Sequence, residues 1–245
     1  MEKVYYSEST NSALAIKKAI KKALNVIAED NEIKSIILLF PSLTVADEFL
    51  PNVLPSLTKG DRICHNDKPS CGIIVETLRN YSPNSKHVLI PVFVTEKDIS
   101  RYEDEWNANV WIIVSHDLNS MKRWLQVHEA ESVETGVCMS LDMSLDQRVI
   151  NGIEWLYTTS YPNEGFNHPF DLNRLKCMAN ALAINSVPLD YYSVLHYCLT
   201  HKINHDGGRK IAEHFVKAQI RKYKTDGNYP ISFMTEMMNE IHTRI

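Results

Sequence analysis

Three clusters of small polar side chains stand where short apolar runs end and amphipathic helices begin. Ser7, Ser9, Thr10 and Asn11, with Glu8 and Ser12 among them, follow Val4-Tyr5-Tyr6; Ser42 and Thr44, beside Pro41, follow Ile36 to Phe40; Ser115, His116 and Asp117 follow Trp111 to Val114. Hydroxyl and amide groups beside a helix start donate and accept adaptably, and the helix adds free amide hydrogens and a partial positive charge. That combination suits a small anionic or nucleotide-like ligand. In a parallel α/β sheet all such turns share one carboxyl edge, where open sheets of this class bind ligands. The same residue types also cap helices, an interaction worth about 1 kcal/mol each, so capping competes with ligand binding at each cluster. Only Glu8, Asp47 and Asp117 bring a carboxylate near these turns in the sequence, which leaves the edge receptive to an anion.

Other constellations offer less. Ser115-His116-Asp117 is not a hydrolytic triad by sequence, because adjacent residues on an extended segment point in alternating directions whereas triad members converge from distant positions. His116 alone fits an acid, base or ligand contact, histidine being the side chain that changes charge near neutral pH. Cys64, His65, Asp67 and Cys71 share one segment, and His196, His201, His205 and His214 crowd another. The two cysteines are too far apart for the close pair of a structural zinc site, and His196 and His201 are five apart where one helix face needs four, so no metal and no cofactor is assigned. The chain has eight glycines, none in a G-x-G-x-x-G or G-x-x-x-x-G-K-[ST] turn, and lacks G-x-S-x-G and H-E-x-x-H. Classical dinucleotide oxidoreductase, Walker NTPase, α/β-hydrolase and zinc-protease readings are disfavoured accordingly.

Arg209-Lys210-Ile211-Ala212-Glu213-His214 is an R-x₄-H string at the start of a predicted helix. It resembles the motif of HEPN-type ribonucleases. The resemblance implies metal-independent RNA cleavage, with Arg209 stabilising the phosphate, His214 in proton transfer, and a homodimer as the working unit. It covers six residues, Lys210 stands where that family usually has a small polar residue, and Arg123 to His128 repeats the spacing. The wider stretch 203–224 holds six basic against two acidic residues, so the basic helix 209–224 is a candidate nucleic-acid contact as well as an ordinary wet surface.

The elements that must position these residues follow from periodicity. Up to about residue 138, strand-like and helix-like patterns alternate, the sign of βαβ units and a mostly parallel sheet. Strands are expected at 3–6, 33–40, 87–94 and 110–114. Helices are expected from Leu14 to Ile27, with Lys17, Lys18, Lys21 and Lys22 on the wet side; from Thr44, broken or kinked by Pro51 and Pro55; from Ser70 to Tyr81; and from Leu118 to His128. Residues 59–71 read as a loop, an acidic connector carries Glu103, Asp104 and Glu105, and 130–143 reads as a linker. From Ser144, which forms a capping box with Gln147, only helical patterns occur, at about 144–156, 171–185, 188–202, 208–224 and from Ser232, with Gly207-Gly208 as a separator.

The fold expectation is therefore a Rossmann-like, mostly parallel α/β domain over 1–138, followed by a small helical bundle over 144–245. The chain of 245 residues, 44% apolar and 23% charged, has ample material for a core. Its first 140 residues carry 15 Lys and Arg against 19 Asp and Glu, and the rest 11 against 11, which is not the broadly basic surface of a dedicated nucleic-acid binder. No apolar run approaches the roughly 18 residues of a membrane span, and no leader precedes Val4, so a cytoplasmic location without a membrane partner is expected. Five irregularly spaced cysteines agree with a reducing compartment. The leading functional reading is a sensor or regulatory protein, its α/β edge binding the ligand and its helical domain acting as effector. A ribonuclease using Arg209 and His214, and an interaction module whose polar clusters are only caps, are the alternatives.

Overall fold

The computed structural model describes residues 3–55, 62–65, 68–103, 108–141 and 144–241; Gly60, Asp61, Asp67, Asp104 and Glu105 of the expected connectors lie outside them. The chain divides into two compact units, Met1–Ser140 and Leu141–Ile245.

The first unit is built on a seven-stranded sheet. Its strands are β1 (Lys3–Tyr6), β2 (Ser35–Phe40), β3 (Arg62–His65), β4 (Lys68–Thr77), β5 (His87–Pro91), β6 (Ala108–Ile113) and β7 (Glu131–Ser132), in the order β3-β4-β2-β5-β6-β1-β7. Six strands run parallel, and β3 pairs antiparallel with β4 at one edge. The central strands are apolar on both faces because helices cover both, the condition under which strands read as unbroken hydrophobic runs. Ile36, Leu38 and Phe40 of β2 join one core with α1 (Ser12–Glu29) and α2 (Leu43–Val53). Ile37 and Leu39 join another with α3 (Glu96–Ile99) and α4 (Leu118–Val127).

Several local expectations give way. Residues 68–77 form β4 where a helix from Ser70 and a loop were expected. Ile73, Ile74 and Val75 are β-branched residues, stiff in a helix and well accommodated on a pleated surface, and each pairs in register with Ile36, Ile37 and Leu38 of β2. The 59–71 stretch contributes β3, which pairs back onto β4. The 130–143 linker contributes β7, held beside β1 by Tyr5 opposite Glu131 and Tyr6 opposite Ser132. Pro51 lies inside α2 near its end, and Ser42 rather than Thr44 caps that helix.

The second unit is all helical: α5 (Gln147–Thr159), a 3₁₀ turn at Pro162–Glu164, α6 (Pro169–Ile184), α7 (Tyr191–Thr200), α8 (His205–Ile220) and α9 (Ile231–Asn239). Its buried side chains include Val149, Ile153, Leu156, Leu175, Met178, Leu182, Leu195, Ile211, Phe215, Met234 and Met238. Asp146, not Ser144, caps α5, so the expected capping box does not form. Gly207 and Gly208 do not separate two helices but sit in the first turn of α8, capped by Asn204. A Cβ on Gly207 would lie 2.2 Å from the Pro162 carbonyl oxygen, so the glycine serves a close approach between α8 and the 3₁₀ turn. Arg221 to Lys224 lie beyond the end of α8, so the basic stretch is not one continuous helix.

Candidate functional site at the carboxyl edge of the sheet

The order of the strands creates two switch points at the carboxyl edge. β2 and β5 are neighbours, yet β2 leads into α2 on one face and β5 into α3 on the other; β6 and β1 are neighbours, yet they lead into α4 and α1 on opposite faces. Adjacent strands whose connections leave in opposite directions define the switch points where such sheets hold ligands. The polar turns after β1, β2 and β6 all lie at this edge.

At the turn after β1 the protein supplies its own anion. The buried Ser7 hydroxyl donates to Glu134 Oε1 at 2.6 Å, the Glu8 amide donates to Oε2 at 2.9 Å, and Lys18 Nζ stands 3.3 Å from Oε1. Glu134 is held there by a tight turn beyond β7 in which the Ser132 hydroxyl accepts from the Glu134 and Thr135 amides. Burial alone would push the Glu134 carboxyl up, but hydrogen bonds from Ser7, Glu8 and Lys18, with the charge of Lys18, outweigh it and hold the group below the usual carboxylate range. A carboxylate therefore opposes an incoming anion at Ser7, which corrects the expectation that only Glu8, Asp47 and Asp117 stand near these turns.

Most of the other polar groups are engaged as caps. Asn11 Oδ1 accepts from the Leu14 amide at the start of α1, Ser42 Oγ from the Val45 amide, and Asp117 Oδ1 from the Asn119 and Ser120 amides. Ser115 Oγ accepts from the Asp117 amide, and Ser9 Oγ donates to the Asn11 carbonyl at 3.4 Å. Thr10 and Thr44 are exposed.

What the turns after β1 and β6 bring together is Ser12 and His116. Ser12 Oγ lies 3.5 Å from His116 Nδ1, and the exposed His116 ring stacks on Phe93, centroids 3.5 Å apart and planes 12° from parallel. Phe49 of α2 packs edge-on against Phe93 at 4.7 Å and lies 5.7 Å from His116. The turns after β1, β5 and β6 and the helix after β2 thus meet in one aromatic platform with a hydroxyl and an imidazole at its rim. The Ser12 and Ala13 amides, in the first turn of α1, have no acceptor within the helix. Phe93 has φ +58°, a left-handed conformation that costs a bulky residue of order 1–3 kcal/mol. The fold enforces it: the Phe93 amide donates to the Val114 carbonyl at 2.8 Å, while Val92 and Val94 on either side are buried in opposite cores. Neither Phe49 nor Phe93 was a candidate by sequence: Phe49 reads as one apolar position of the helix from Thr44, and an apolar residue inside the strand pattern 87–94 carries no sign of a positive φ.

In the helical unit, Arg209 and His214 do not act from one side of α8. Five residues turn a helix to about 140° from the starting direction, and Arg209 Nη2 lies 3.9 Å from Asp206 Oδ1. His214 instead donates from Nδ1 to the Lys210 carbonyl at 2.8 Å and stacks on Tyr223. Burial pushes its pKa below the usual histidine value, and the charges of Lys176 and Lys217 add to that depression. His201 is similarly local, stacked on Tyr197 and bonded through Nδ1 to its carbonyl. No family model, curated protein or solved structure matches this chain.

Proposed function

We propose that this protein is a cytoplasmic sensor or regulatory protein whose α/β unit binds a small anionic, nucleotide-like molecule at the carboxyl edge of its sheet. The helical unit is then the effector or partner-binding element. The supporting observation is the convergence of Ser12, Phe49, Phe93 and His116 at two neighbouring switch points. A flat ring would lie against the aromatic platform, and an anionic group would meet the Ser12 hydroxyl, the His116 imidazole and the first amides of α1. Glu134 directs that group away from Ser7 and towards Ser12. Among the described residues no helix is long and apolar enough to cross a membrane.

The metal-independent ribonuclease reading has less support, because Arg209 and His214 leave α8 in different directions. The interaction-module reading draws on the caps at Asn11, Ser42 and Asp117, and the same experiment decides against or for it. A thermal-shift screen of nucleotides and sugar phosphates should find a stabiliser, with Ser12→Ala and His116→Ala each weakening it. Absence of any stabiliser at millimolar concentration, or equal binding by both variants, would leave the polar turns as caps and sink the proposal.

A further inference from the structure

We propose that the helical unit carries a second anion site, a lysine-lined cleft that takes the phosphoryl group of a small phosphorylated molecule. The cleft has a volume of about 530 Å³, within the range of small-molecule sites. Lys210, His214 and Lys217 line it from one face of α8, at i, i+4 and i+7, and Lys176 lines it from α6. None of the residues lining it is a carboxylate.

The cleft is a built feature. Asn180, itself buried, clasps the backbone of Tyr223 by accepting from its amide at 2.8 Å and donating to its carbonyl at 2.9 Å, which sets the Tyr223 ring against His214 with centroids 5.1 Å apart. Lys210 ties the floor together, donating to the Gly165 carbonyl and pairing with Asp206 at 3.3 Å. Gly165 at φ +68° and the buried Phe166 at φ +52° form a left-handed turn beneath it. Lys176 and Lys217, by contrast, have no ion-pair or hydrogen-bond partner for their side chains among the described residues. Two ammonium groups therefore line a cleft that also holds the His214 ring; with Nδ1 donating to the Lys210 carbonyl, its Nε2 becomes a donor only when the ring takes up a second proton, which a bound anion favours. A phosphate, with charge and several acceptor oxygens, matches that donor set, and the Tyr223–His214 stack gives a wall for a ring attached to it.

The test uses the full chain, isotope-labelled at histidine, titrated with inorganic pyrophosphate at low ionic strength. The His214 ring resonances should shift saturably, and Lys176→Ala and Lys217→Ala should each weaken the apparent affinity by about tenfold, the loss of one charge-assisted hydrogen bond. Circular dichroism checks that both variants are folded, and Lys217→Gln serves where Lys217→Ala is not. Parallel titrations with adenosine 5′-monophosphate and glucose 6-phosphate distinguish a ring-bearing ligand from a sugar phosphate. His116→Ala should leave pyrophosphate binding at His214 unchanged, so failure at this cleft is separate from failure at the sheet edge. Unsaturable shifts, or an affinity indifferent to both lysine variants, would overturn the proposal.

Discussion

The Ser7 hydroxyl and the Glu134 carboxylate, 127 positions apart in the chain, meet at 2.6 Å where the first strand ends. The contact ties β1 to the turn beyond β7 and places a negative charge against the first polar turn of the sheet. Glu134→Gln should lower stability by about 1 kcal/mol at pH 7, the worth of a hydrogen bond to a charged group less the amide's partial replacement of it. The folded carboxyl has its pKa held down, so its contribution is full above the unfolded value of about 4.5 and is lost as pH falls through the folded value. Denaturant unfolding from pH 7 to 3 should show the gap between wild type and variant closing below pH 4.5. A constant gap would mean that charge is not what Glu134 contributes.

Cap residues and platform residues should separate cleanly. Asn11→Ala and Asp117→Ala remove caps of α1 and α4 and should each cost about 1 kcal/mol without a ligand. His116→Ala, on an exposed side chain, should change ligand-free stability by less than about 0.5 kcal/mol while weakening any anionic ligand at the edge. Melting curves of the three variants, with and without the best stabiliser, make the comparison.

The glycine at the turn before α6 should be intolerant of a side chain. Gly165→Ala would put a Cβ 1.9 Å from an Asp206 oxygen, in a left-handed conformation that costs roughly 1–2 kcal/mol by itself. Gly207→Ala should be worse, since its obstacle is the Pro162 backbone rather than a movable side chain. Urea midpoints should fall for both, further for Gly207→Ala.

His214 gives the helical unit an acid-side pH dependence. It faces Lys176 of α6, its own-helix neighbours Glu213 and Lys217, and the Tyr223 ring, and its pKa lies below the ordinary value of 6.5 because burial disfavours the imidazolium. The unfolded chain therefore binds this proton more readily between the two values, and stability falls as pH drops below about 6.5. His214→Gln should flatten that slope between pH 7 and 5 when unfolding of the full chain is followed by denaturant titration.

The sequence by itself determined the elements whose patterns are intrinsic. The apolar runs expected as strands at 3–6, 33–40 and 110–114 were legible because polar turn clusters end them and helical patterns alternate with them, and the 3.6-residue spacing from Leu14 to Ile27 made α1 readable without any partner. The change at about residue 140 to helical periodicity was legible for the same reason. Tertiary structure decided the rest. Residues 68–77 became a strand because β2 offered them an edge to pair with, and a short apolar run does not say which it will be. The platform of Phe49, Phe93 and His116, the left-handed backbone of Phe93, and the carboxylate of Glu134 against Ser7 depend on strand order and on contacts between distant segments. Local propensity reports a few residues on either side of a position, whereas a site is made by groups that only the assembled sheet brings within 4 Å of one another.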